Sequence, residues 1–269
     1  MLGTLAVLLF AAVAGGAVFV VGGVYDISAT AQHTRPVYAL LDLTMKYSVR
    51  RRAAGIDVPP LDDARQRAQG LRLFAEHCSG CHGAPGQAPE TYAQLLQPLP
   101  GPLTHAARQG RPQELYWIAR YGVKMSGMPG WEGRLDDAEL WAIVAFLQQL
   151  PQLSPDDYRQ HAGAARVVPA VATAPAPPDT DSAVAALRRY GCHGCHVIPG
   201  VVGPTAVIGP PLERFGTRTL IAGRWPNTEE NLVAWLSRPQ AMDPRSAMPN
   251  LGVSPPDAVL IARHLRAQR

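Results

Sequence analysis

The sequence holds four cysteines, in two pairs of identical form: Cys78-Ser79-Gly80-Cys81-His82 and Cys192-His193-Gly194-Cys195-His196. Both read C-x-x-C-H, the spacing of c-type haem attachment. In that chemistry the two thiols bond covalently to the porphyrin edge, and the adjacent histidine reaches the iron from one side. Other chemistries fit less well. Zinc wants four ligands, and each pair brings two cysteines and one neighbouring histidine. A redox dithiol usually sits in a βαβ setting, which the sequence lacks. A disulfide needs no histidine directly after each pair. The motifs therefore predict two haems c, held through Cys78 and Cys81 and through Cys192 and Cys195. His82 and His196 are the expected proximal iron ligands.

A second axial ligand is expected further along each half, and Met/His ligation is typical of electron-transfer haems. In the second half the candidates are Met242 and Met248. Met248-Pro249 lies in a proline-bounded loop just before the last predicted helix, which favours Met248. In the first half the choice is between Met125 and Met128. Met128-Pro129 has the same Met-Pro form, so Met128 is favoured, with Met125 lining the pocket. A ligating histidine usually donates its other N–H to a carbonyl or carboxylate. A proline carbonyl within Ile208–Leu212 suits His196, while Pro98, Pro100 and Pro102 compete for His82. His77 and His193 are expected to be exposed.

These residues need elements to place them. Leu2 to Tyr25 carries no charge. As a helix it spans about 36 Å, enough for a hydrocarbon core of about 30 Å. A cleaved signal peptide would want a basic flank and a short apolar core, and neither is present. Residues 1–25 are thus expected to be a transmembrane anchor, with small-residue pairs such as Ala12/Gly16 suited to helix packing. Residues 26–60 read as a juxtamembrane connector, interfacial or plain. Residues 61–160 read as a helical domain, with helices over Leu61–His77, Pro112–Tyr121 and Asp136–Leu150. The last carries a capping box at Asp136 and Glu139. Residues 161–179 form an Ala/Pro-rich linker. Residues 180–269 form a second helical domain, with helices at Asp181–Tyr190 and Thr228–Ser237 and one starting at Ser254-Pro255.

Composition agrees with an all-α, loop-rich chain. Of 269 residues, 47% are hydrophobic and 17% charged, which excludes a wholly disordered protein. The net charge of +4 is too weak to indicate nucleic acid. Residues 61–160 hold 9 basic and 11 acidic groups, and residues 180–269 hold 10 and 6. Such asymmetry suits a relay with different partners at its two ends, and equally a solvated surface of no consequence.

The order of helix, C-x-x-C-H, Gly/Pro-rich loop, middle helix, Met-Pro loop and final helix resembles the class I cytochrome c family, once in each half. Gly70 and Phe74 match the family's first helix and Phe146 its last. Val184 and His264 depart from that pattern in the second half, so its helix crossing is expected to differ. The stretch from Ile221 through Trp235 to Met248-Pro249 also resembles cytochrome c modules linked to respiratory oxidases. The resemblance implies haem attachment outside the cytoplasmic membrane. Lys46 and Arg50–Arg52 lie after the apolar helix, and the positive-inside rule alone would place the remainder in the cytoplasm. The resemblance decides for the periplasmic side of a bacterial inner membrane. The implied role is electron transfer without catalysis: a membrane-anchored dihaem cytochrome passing electrons to or within a terminal oxidase. Its partners would be that oxidase or a quinol-oxidising complex. Alternatives are the electron-accepting subunit of a periplasmic dehydrogenase and, less well fitted, a dihaem peroxidase.

Overall fold

The computed structural model describes residues 2–29, 31–162, 182–203 and 208–269. Apart from residues 161 and 162, the expected linker 161–179 lies outside the described residues. The chain is mostly helical. Among the described residues the strands are one antiparallel pair, Leu220–Ile221 with Trp225–Pro226. Two compact units are present, Met1–His33 and Thr34–Arg269. The expected connector is thereby divided: residues 26–33 go with the first unit and 34–60 with the second.

In the first unit, helix Leu2–Val21 is the one described helix long and apolar enough to cross a membrane. Leu5, Leu8, Phe10 and Val13 stand on its surface. Beyond it, Tyr25 stacks on His33, with Tyr25 Oη 2.6 Å from His33 Nδ1.

In the second unit, helix Arg35–Ala53 begins at a proline-tolerant first turn and lays its far end, with Val49 and Ala53 buried, on helix Pro112–Tyr121. It thus belongs to the folded body. Two buried clusters follow in chain order, one drawn from residues 71–158 and one from 186–265. We refer to residues 64–162 as the first region and 182–269 as the second.

The first region opens with helix Ala64–His77, capped by Asp63, whose carboxylate accepts from the Gln66 amide at 2.7 Å. It closes with helix Asp137–Gln149, capped by the expected box of Asp136 and Glu139. The two helices cross at Gly70, where a β-carbon would overlap the Ala142 carbonyl and stand 2.9 Å from Phe146 Cβ. That close approach lets Phe74 meet Phe146 at 5.1 Å between ring centres. Tyr158, from helix Pro155–Ala162, packs edge-on against Phe74 at 6.3 Å. Middle helix Pro112–Tyr121 joins this core by stacking Tyr116 on Trp141.

The second region has helices Ala183–Arg189, Glu229–Ser237 and Pro255–Ala267, capped by Ser182, Thr228 and Ser254. Its opening and closing helices are joined through a polar clamp. Tyr190 donates to Asp257 at 2.7 Å, Arg189 pairs with Asp257 at 3.0 Å, and Ser254 donates to Asp257 at 2.8 Å. Leu187, Trp235, Ile261 and Leu265 fill the apolar space below.

Candidate haem sites

Each C-x-x-C-H motif forms one turn of helical backbone. In the first, the His82 amide donates to the Cys78 carbonyl at 3.0 Å; in the second, the His196 amide donates to the Cys192 carbonyl, also at 3.0 Å. Positions i, i+3 and i+4 lie on one face of such a turn. Two thiols and one imidazole are therefore presented together, twice. The opening helix of the first region feeds this turn directly, with the Cys78 amide bonded to the Phe74 carbonyl at 2.9 Å.

Both histidines are tethered. His82 Nδ1 lies 2.7 Å from the Gly101 carbonyl, and His196 Nδ1 lies 2.7 Å from the Pro210 carbonyl. A carbonyl accepts only, so Nδ1 carries the hydrogen and Nε2 keeps its lone pair. Desolvation lowers the pKa of both imidazoles against the opposing effect of the carbonyl bond, which favours the neutral form that metal ligation needs. For His196 the acceptor falls within the expected proline segment. For His82 it does not: the carbonyl belongs to Gly101, between the candidates Pro100 and Pro102. A β-carbon on Gly209 would press into the His196 ring, 2.6 Å from Nδ1, so a glycine is required beside this imidazole.

The thiols are shielded. Desolvation, with a smaller push from the paired cysteine, raises the Cys78 and Cys192 thiols to about 12, and desolvation raises Cys195 to about 11. In this setting they are held as neutral thiols. Among the described residues, no three His, Cys, Asp or Glu side chains converge to hold a bare metal ion. The donor set is instead one neutral imidazole and one thiol pair per motif, which fits haem c.

The methionine loops also share a construction. The Met128 amide donates to Ser126 Oγ at 3.1 Å, and the Met248 amide donates to Ser246 Oγ at 3.2 Å. The sequence carries this as Ser-x-Met-Pro in both halves. Gly122, at φ +69°, permits the first loop: a β-carbon there would stand 2.6 Å from the Met128 carbonyl. Just beyond that loop, Trp131 packs on His77 at 4.8 Å, bringing the Met128 segment to the residue before Cys78. Met128 is half-buried. Met125 is 78% exposed, on a left-handed turn at φ +59°. Met248 and Met242 both pack on the second core, which includes Cys192.

Two histidine expectations also change. His77 is half-buried against Trp131, and His193 is 5% exposed. The loop that returns over His193 at Gly203, where a β-carbon would lie 3.4 Å from the ring, accounts for part of its burial.

Comparison with known proteins agrees with this geometry. Residues 65–147 match the family of cytochrome c oxidase, cbb3-type, subunit III. The chain is 31% identical over 115 residues to a dihydro-heme d1 dehydrogenase of Pseudomonas aeruginosa, covering 41% of this chain and 21% of that protein. It is 40% identical over 62 residues to a cytochrome c oxidase subunit 2 of Alkalihalophilus pseudofirmus, covering 23% of this chain and 17% of that one. The chain thus spans about a fifth of the length of these curated relatives. No solved structure matches it. Together the matches support a cytochrome c, an electron-transfer domain whose family carries covalently bound haem c.

Proposed function

We propose that the chain is a membrane-anchored electron-transfer protein carrying two haems c in tandem domains. One is held by Cys78, Cys81, His82 and Met128, the other by Cys192, Cys195, His196 and Met248. The observation that carries this reading is the repeated tether, His82 to Gly101 and His196 to Pro210, each at 2.7 Å after the same one-turn motif. When bound, each haem supplies an iron that exchanges one electron between ferrous and ferric forms. The residues do the positioning. The carbonyl tethers fix which imidazole nitrogen faces the metal, and the Ser-x-Met-Pro turns fix the backbone of the thioether ligands. An iron held by His82 and Met128, or by His196 and Met248, would have no donor site left for a substrate, which suits transfer rather than catalysis.

Helix Leu2–Val21 is the membrane anchor in this reading, with the haem domains on the periplasmic side. The family match and the likeness to an oxidase subunit support delivery of electrons to or within a terminal oxidase. A second reading, the electron-accepting subunit of a periplasmic dehydrogenase, draws on the likeness to a dihydro-heme d1 dehydrogenase. Haem retained after denaturation tests the core of the proposal: two per chain are expected, and one would overturn it. Met248→Ala should remove one thioether-to-iron absorption band, and an unchanged spectrum would defeat that ligand assignment. Proteins that co-purify in mild detergent separate the two readings of partner.

A further inference from the structure

A single loop of the first region reaches the second region at two places. Leu99 lies over the second cysteine motif. A β-carbon on Gly194, between Cys192 and Cys195, would stand 2.8 Å from Leu99 Cδ2, and one on Gly191 would stand 3.5 Å from the same atom. Gln94 borders the same Gly191 position at 4.0 Å and is 8% exposed, with its amide nitrogen turned back onto the Pro89 carbonyl. Nearer the loop's start, a β-carbon on Gly86 would stand 3.7 Å from Gln240 Nε2. Gln240 Nε2 in turn donates to the carbonyls of Ser246 and Met248.

The two contact points are therefore the turn that bears the second pair of cysteines and the glutamine that holds the Met248 backbone. Both bear on the residue set, Cys192, Cys195, His196 and Met248, that would hold a haem in the second region. Two residues beyond Leu99, the Gly101 carbonyl orients His82. The loop thus touches the machinery of both sites within 86–101.

We propose that loop 86–101 of the first region forms one wall of the second region's haem crevice, with Leu99 and Gln240 as its positioning residues. The inference rests on reading residues 182–269 as a haem-binding domain. Leu99 brings an apolar side chain to a glycine-lined turn, so closing the contact removes apolar surface and backbone from water at once. The absence of a side chain at Gly194 is what lets it approach so closely. This edge of the second site then faces the first domain, and outside partners must meet the second domain elsewhere.

Hydrogen exchange on the full haem-loaded chain in detergent tests the wall. The probes are the Gly194, Cys195 and His196 amides, which close the motif's own turn. Leu99→Asp places a charge against that turn. Losing a leucine contact of this kind should speed exchange at these amides by about tenfold. Leu99→Met should stay near the native rate. Leu95→Asp, in the same loop but 58% exposed, should change nothing. Gly194→Ala approaches the contact from the other side and should reproduce the Leu99→Asp effect, which covers the case in which the aspartate variant fails to fold. Haem is counted on every sample. Two haems with exchange unchanged in Leu99→Asp and Gly194→Ala would overturn the wall alone. One haem in the native chain would overturn the two-haem reading and the wall with it.

Discussion

At the first helix crossing, Gly70 removes a side chain so that Ala142 can approach, and Phe74 and Phe146 fill the space beside it. At the second, Val184 takes the place matched to that glycine, and Tyr190, Arg189 and Ser254 converge on Asp257. One crossing is held by shape and the other by a buried-edge polar clamp. The lesson is that the same C-x-x-C-H turn follows each opening helix, while the chemistry of the crossing differs. The two also differ in what can break them. The apolar crossing depends on no ionised group, whereas the clamp depends on one ionised carboxylate.

The comparison breaks most sharply at Gly70. Gly70→Val forces a branched side chain into the Ala142 backbone and should unfold the first region; differential scanning calorimetry would show its transition lost and, without loop 86–101 against it, that of the second region lowered. Phe146→Ala comes next, with an expected cost of about 3–5 kcal/mol confined to the first region. In the second region, Tyr190→Phe removes a hydrogen bond to a charged group and should cost about 1.5–3 kcal/mol by chemical denaturation.

Acid sharpens the same contrast. Burial alone would raise the Asp257 pKa, but hydrogen bonds from Tyr190 and Ser254, with the Arg189 charge, outweigh it and hold the carboxyl below its ordinary value. A carboxyl lowered in the folded state stabilises fully above the unfolded value, near pH 4, and that contribution is lost as pH falls through the folded one. The clamp should therefore weaken below about pH 4, and Tyr190→Phe should flatten that dependence in a pH series of melts. The smallest effect belongs to Val184→Gly. Because the second crossing does not use a glycine, this change should only weaken its helix, by about 0.5–1 kcal/mol.

Much of the site was legible because it is local. C-x-x-C-H encodes its own turn, so the placement of His82 and His196 beside their cysteines follows from helical spacing. The caps at Asp136 and Ser254 were readable for the same reason: side chain and amide are three residues apart. The repeated Ser-x-Met-Pro was equally local and equally readable. What escaped was non-local. Sequence alone does not distinguish the Gly101 carbonyl from those of the neighbouring prolines, because carbonyl direction depends on how the whole loop returns to His82. Met125 and Met128 stand three residues apart, and the left-handed turn at Met125 decides which one faces solvent.

The sequence by itself determined two haem-type motifs, the apolar helix that precedes them and the helical periods between them, since each is written in residues a few positions apart. Tertiary structure alone decided the Tyr190–Asp257 clamp, the burial of His193 and the approach of Leu99 to Gly194. Those contacts join residues dozens of positions apart, and their energies come from packing and desolvation, which local spacing does not encode.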